Sequence, residues 1–173
     1  MSWFEDLTGF HESSYEETRA RFKIQKNRLI SLENSKSFSI GKFELIALKE
    51  LREKAKFANN LSGKLKTSLA IGDVRSMHRA PENNGALFQV ASQFNMLEMT
   101  KPTITPEHGV TRYQNDHTQG PACAIATGAA TIYRNYFVPL DGKRGQTSER
   151  QLDGLADLGS ALSKSTGLDL NDL

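Results

Sequence analysis

An uncharged run of small residues sets the tightest limit on this chain. In P-A-C-A-I-A-T-G-A-A-T-I-Y, residues 121–133, no charged side chain appears until Arg134. A helix without a charged face has no side to offer water, so this one must be buried. Pro121 suits its first turn, where a missing N–H has no intrahelical partner to lose. Directly ahead, Asn115, Asp116, His117, Thr118 and Gln119 crowd into one polar run that turns through Gly120. The pattern predicts a polar loop delivered onto the N-terminus of a buried helix. Free backbone N–H groups and the positive end of the helix dipole there attract phosphate or carboxylate. The same small residues also suit plain packing of a helix on a sheet. The polar run in front favours function, because functional loops are set on rigid scaffolds.

The chain's 173 residues fit one domain with a real core. A net charge of +2 makes a weak electrostatic case for nucleic acid or a membrane surface. No apolar run reaches the length of a membrane span, and the start M-S-W-F-E-D lacks the basic-then-apolar layout of a signal peptide. The single cysteine, Cys123, excludes an intrachain disulfide and a multi-cysteine zinc site, and a cytoplasmic setting is the default expectation.

Residues 1–10 carry Trp3, Phe4, Leu7 and Phe10, enough apolar surface to dock on the body. Ser13 and Ser14, each followed three residues later by Glu, predict a capping box and a short helix ending near Phe22. Residues 28–32 and 37–41 read as a hairpin around the turn 33–36, with Phe38 and Ile40 alternating with serines. Residues 43–48 continue as a strand or as the entry to a helix. Residues 49–61 predict an amphipathic helix whose buried side is Leu48, Leu51, Ala55 and Ala58. Core strands are expected at 64–74 and 86–91, and an exposed, irregular loop at 100–110 with two prolines. After a Gly-rich turn at 139–146, Thr147 to Arg150 should cap a last helix with Leu152, Leu155, Leu158 and Leu162 as its apolar stripe. Strands alternating with helices argue for an α/β or α+β layered fold.

Candidate chemistry gathers at strand ends. Asp73, directly after Gly72 at the end of a strand, stands where open α/β sheets bind ligands, or serves as a helix N-cap. Gln93 and Asn95 follow the next strand; amides there suit sugar hydroxyls or tie down loop backbone. Asp116 is the strongest single candidate for chemistry, placed to activate a water or stabilise an oxocarbenium-like sugar cation, with Glu107 or Glu98 as its partner. The plainer role for it is to satisfy nearby N–H groups. Cys123 in the first turn of a helix, with His117 nearby, allows a cysteine enzyme or a packed, inert thiol. His11, His78, His108 and His117 do not show metal-ligand spacing, and no metal or cofactor is expected.

Gly72-Asp73-Val74 closing one strand, a core strand leading to Asn95, and a Gly-containing loop running into A-I-A-T-G-A-A together resemble the macrodomain family over residues 64–136. That resemblance implies a three-layer α/β/α mixed sheet that binds ADP-ribose, and some members cut ADP-ribose from proteins. It implies adenine at Asp73, the distal ribose near Asn95, and the diphosphate along Thr118, Gln119, Gly120 and Ala122. Asp116 then resembles the acidic residue that hydrolytic branches carry beside that ribose. The family's Gly-Gly-Gly stretch is replaced here by T-Q-G-P-A-C-A-I, and its N-A-A-N motif by A-S-Q-F-N.

The expected organisation is an N-terminal α+β extension, residues 1–61, packed on a macrodomain-like core, residues 62–173, that stops short of a second phosphate loop. The expected activity is binding of ADP-ribose or a related nucleotide diphosphate, with hydrolysis of ADP-ribosyl linkages on protein; the expected partners are ADP-ribose or an ADP-ribosylated protein. The alternative is a non-catalytic interaction protein whose incomplete sheet is completed by a partner chain or a second copy.

Overall fold

The first helix, α1 (Trp3–Thr8), forms because both of its ends are closed locally. The Ser2 hydroxyl accepts the Glu5 N–H at 3.2 Å and the Glu5 carboxylate accepts the Ser2 N–H at 2.7 Å, a reciprocal capping box. Gly9, at φ 82°, takes the left-handed C-cap that other residues adopt only with strain. Described in the computed structural model are residues 1–41, 46–55, 63–64, 76–77, 80–85, 101, 103–116 and 124–169.

The Ser2 backbone N–H, and after it the His11 side chain, hold the Glu5 carboxyl down from its ordinary 4.5 to about 2. A carboxyl lowered on folding adds stability above its unfolded value and loses it as pH falls through the folded one. Glu5→Gln should therefore destabilise the protein at pH 7, and the difference from wild type should close between pH 4.5 and about 2. Urea unfolding of both proteins across that range measures it; a gap that persists at pH 2 contradicts the cap.

A second short helix, α2 (Tyr15–Ala20), starts at Ser14. Its predicted capping box is half made: hydroxyls of Ser14 and Ser13 and the Ser14 backbone hold Glu17 below the usual carboxylate range, but the Ser14 side chain caps no N–H. The helix stops at Ala20 rather than near Phe22, because Phe22 opens a strand. That strand, β1 (Phe22–Gln25), pairs antiparallel with β2 (Arg28–Ser31), which pairs antiparallel with β3 (Ser37–Ser39). The predicted hairpin is thus two-thirds of a three-stranded sheet. Lys26, at φ 54°, makes the tight turn between the first two strands. Phe22 and Leu29 point inward while Lys23 and Arg28 face water.

The sheet is fastened to α1 at its turn. Ser31 donates its hydroxyl to the Thr8 carbonyl at 2.6 Å, and the Asn34 amide donates to the Leu7 carbonyl at 3.3 Å. Phe4, fully buried, meets Phe10 and Phe22 edge-on at ring separations of 5.5 and 6.1 Å.

The uncharged run was expected to be helical from Pro121, but α4 (Gly128–Tyr136) opens seven residues later at the N-cap Thr127, after a π-type turn at 124–125 and a turn at 126–127, so its N-terminus does not meet the polar run directly; α3 (Leu48–Lys54) lies earlier in the chain. As composition demands, Gly128, Ala129, Thr131, Ile132, Asn135 and Tyr136 are buried. One cluster joins Phe4, Phe10, Phe22 and Leu29 to Val110, Tyr113, Ile132 and Phe137. The N-terminal forty residues therefore supply much of the core that holds the central helix. A two-stranded ribbon follows, β4 (Pro139–Leu140) with β5 (Lys143–Arg144), turned by Asp141 and Gly142 at φ 47° and 74°. Aspartate and glycine are the residues such a hairpin turn favours.

Two amphipathic helices depart from expectation. Of the predicted stripe, Leu51 on α3 is 46% exposed and Ala55, just past its end, is exposed; the burial of Leu48 and all of Ala58 lie outside what the structure describes. The last helix, α5 (Ala156–Thr166), begins nine residues after Thr147, because Thr147 and Arg150 form a β-bridge instead. Leu152 is buried outside the helix, while Leu155, Leu158 and Leu162 stand exposed. Periodicity marked an apolar face correctly and could not say whether anything covers it.

The protein is a mixed α/β fold with five α-helices and small antiparallel sheets among the described residues. The strands expected at 64–74 and 86–91 lie outside them. No helix among the described residues is long and apolar enough to cross a membrane.

Candidate functional site

Asp116 and Glu107 are the two predicted site residues within the described part of the chain. Both sit on one segment, 103–116, which was expected to be exposed up to residue 110. Its middle is instead inside: Pro106, Gly109 and Val110 are buried. Two 3-10 helices shape it, Pro106–His108 and Thr111–Asn115. The first is closed by the His108 ring, whose Nδ1 accepts the Thr105 N–H at 3.0 Å.

The second is held by the N-terminal segment. One oxygen of the Glu12 carboxylate accepts the Val110 N–H at 2.8 Å and the Tyr136 hydroxyl at 2.7 Å; the other accepts the Thr111 N–H at 2.7 Å. These are charge-assisted bonds to a helix's orphan donors, the stronger kind. From the other side, the Trp3 indole N–H donates to the Thr111 carbonyl at 3.1 Å. Gly109, at φ 80° and ψ 176°, passes so close to Glu12 that a Cβ there would lie 2.5 Å from Oε2. Tyr113 is buried, and Asp116 ends the helix with its N–H bonded to the Tyr113 carbonyl at 3.2 Å.

Two tyrosines and two amides brace the underside. Tyr15 donates to the Asn135 carbonyl at 3.0 Å, and its ring stands 4.8 Å from that of Tyr136. Burial pushes the Tyr15 phenol up to about 12. Burial, and after it the Glu12 charge, pushes Tyr136 higher still, so both act as fixed neutral donors. Asn135 donates to the Pro106 carbonyl at 3.0 Å, while the fully buried Gln146 donates to the Arg134 carbonyl and accepts the Leu152 N–H.

Glu107 is engaged with the turn that follows the ribbon. One of its oxygens accepts the Ser148 N–H at 2.7 Å and the Ser148 hydroxyl at 3.1 Å. Partial burial works against its charge, yet these bonds, with those from its own N–H and the Thr105 hydroxyl, keep it below the usual carboxylate range. It is thus an ionised tie between two loops, whatever else it does.

Asp73, Gln93, Asn95, Thr118, Gln119, Gly120 and Ala122 lie outside the described residues, as do Glu98, His117 and Cys123. The 117–123 run is flanked by buried residues. Tyr113 is 2% exposed on one side, and on the other Ala124 is 3% exposed with its carbonyl accepting the Thr131 hydroxyl at 2.8 Å. Gly128, opening α4, packs under Trp3, where a Cβ would come within 2.8 Å of the indole.

Sequence reasoning missed Glu12 and Trp3. The pattern around Trp3 marks only docking surface, and nothing around Glu12 signals a carboxylate that binds backbone 98 residues downstream. A separate cleft of about 530 Å³ lies between Ile46 and Ala47 and residues 153–158, but the Asp153 carboxylate on its wall already accepts the Leu155 N–H at 2.8 Å. Among the described residues, no three His, Cys, Asp or Glu side chains gather as metal ligands. Comparison with family models, curated proteins and solved structures finds no match to this chain.

Proposed function

We propose that the chain binds ADP-ribose or a related nucleotide diphosphate through a macrodomain-like three-layer core, and hydrolyses ADP-ribosyl linkages on protein. Diphosphate would lie on backbone N–H groups around Gly120 and Ala122, adenine at Asp73, and ribose between Asn95 and Asp116. The supporting observation is the fixing of both flanks of the polar run: Tyr113 and Ala124 are each sealed in the core, so the loop between them starts and ends on rigid supports. Calorimetric titration with ADP-ribose is the test, and folded protein giving no heat at millimolar ligand ends the proposal. Chemistry is read separately. Asp116→Ala should lower release of ADP-ribose by about 100-fold or more, in the range carried by a general acid or base, while binding persists. Unchanged release would remove Asp116 from the mechanism.

The second reading, an interaction protein without catalysis, draws on the exposed leucines Leu155, Leu158 and Leu162 of α5. Neighbouring apolar residues exposed on one helix mark an interaction face more often than a solvated one. It predicts self-association in size-exclusion chromatography with light scattering, and a clean monomer that binds ADP-ribose speaks against it.

A further inference from the structure

We propose that Glu12 is a positioning residue for Asp116, so that the N-terminal segment is part of the candidate site rather than an appendage to it; this rests on the ADP-ribosyl hydrolase reading above. The geometry is a two-sided grip on one residue. Thr111 opens the 3-10 helix that ends next to Asp116, and both of its backbone polar groups are taken by the N-terminus, the N–H by Glu12 and the C=O by Trp3. Tyr113, in the middle of that helix, is buried, and its carbonyl accepts the Asp116 N–H at 3.2 Å, so the placement of the first residue is carried on to Asp116. Glu12 also grips Val110 N–H and is itself held by the Tyr136 hydroxyl from the buried helix. The chain of contacts therefore runs from α4, through Tyr136 and Glu12, to the backbone that carries Asp116.

A glutamine at position 12 tests the grip. Glutamate offers two acceptor oxygens to three donors, whereas glutamine offers one and turns an NH2 group toward the others, donor against donor. One arm of the clamp must open while the side chain keeps its size. A catalytic carboxylate displaced by about an ångström loses on the order of 10–100-fold in rate, with ground-state binding untouched.

The experiment follows release of ADP-ribose from an ADP-ribosylated protein by wild type, Glu12→Gln and Trp3→Phe, with calorimetric Kd for ADP-ribose on each. The expected result is a kcat at least tenfold lower in Glu12→Gln, with KM and Kd within twofold of wild type, and a smaller loss of the same kind in Trp3→Phe. A merely structural role would lower the fraction of active protein and leave kcat per folded molecule unchanged, so rates are normalised to the ADP-ribose-binding fraction. If Glu12→Gln does not fold, Trp3→Phe, which keeps a ring over Gly128 and removes only the indole donor, carries the test. Active wild type with kcat within twofold in the folded variants overturns this proposal alone. Wild type that binds ADP-ribose and releases none overturns it together with the chemistry assigned to Asp116. Absence of binding overturns the underlying reading.

Discussion

Gly109→Ala is expected to cost about 3 kcal/mol of stability, from two effects that act at one atom. The first is backbone strain. Gly109 sits at φ 80° and ψ 176°, a region that is essentially closed to residues with a side chain. The second is displacement of Glu12, because the new methyl would lie 2.5 Å from Oε2 and 2.6 Å from the carboxyl carbon. Moving that carboxylate loosens its bonds to Val110, Thr111 and Tyr136 together, and leaves partly buried donors short of an acceptor. In a chain of this size each kcal/mol shifts the melting midpoint by about 2–4 °C, so Tm should fall by roughly 6–12 °C. Thermal unfolding by circular dichroism measures it. A drop of under 2 °C would mean that the carboxylate has room to retreat and the clamp is loose. Glu12→Ala offers the comparison, since it removes these bonds outright and leaves the Gly109 backbone unstrained.

Phe4→Ala should do more damage, about 3–5 kcal/mol. Phe4 is fully buried and is the ring around which Trp3, Phe10 and Phe22 arrange themselves edge-on, at 5.9, 5.5 and 6.1 Å. Truncation removes its own buried area and leaves rigid aromatic neighbours that cannot close the hole. Against a typical total of 5–15 kcal/mol, the variant would stand near the limit of folding. Urea unfolding should show a midpoint sharply lower with the slope unchanged. Phe4→Leu, closer in volume, should recover more than half of the loss. A cost under 1 kcal/mol for the alanine would show that the N-terminal helix is a removable cover and not a wall of the core.

Local pattern made some of this architecture readable before any coordinates. The absence of charge before Arg134 was enough to bury α4, and the serines alternating with Phe38 and Ile40 were enough for the second hairpin. The first strand was misread because F-K-I-Q is four residues long and follows a helical pattern without a break, so neither period has room to declare itself. The leucines of α5 carried a true helical period, but period reports a face and not its neighbour. At the candidate site, Asp116 was chosen for its company in a polar run, and the structure gives it a firmly held backbone. Of the two partners the sequence offers it, Glu98 and Glu107, the latter already has one oxygen occupied by Ser148, 41 residues later. Glu12 was unreadable for the same reason on a larger scale, since its partners lie 98 to 124 residues away.

The shared core has a consequence during synthesis. Helix α1 and the three-stranded sheet leave the ribosome while Phe4, Phe10, Phe22 and Leu29 still lack partners such as Val110 and Ile132, which are made later. At about 5–20 residues per second, a hundred residues of delay leaves that aromatic face open to water for some 5–20 s. Over that interval the nascent chain presents sticky rings and unpaired strand edges, which is when a chaperone would find it. The grip of Trp3 and Glu12 on Thr111 can close only once a segment 99 to 108 residues downstream has emerged, making it a late checkpoint for this core.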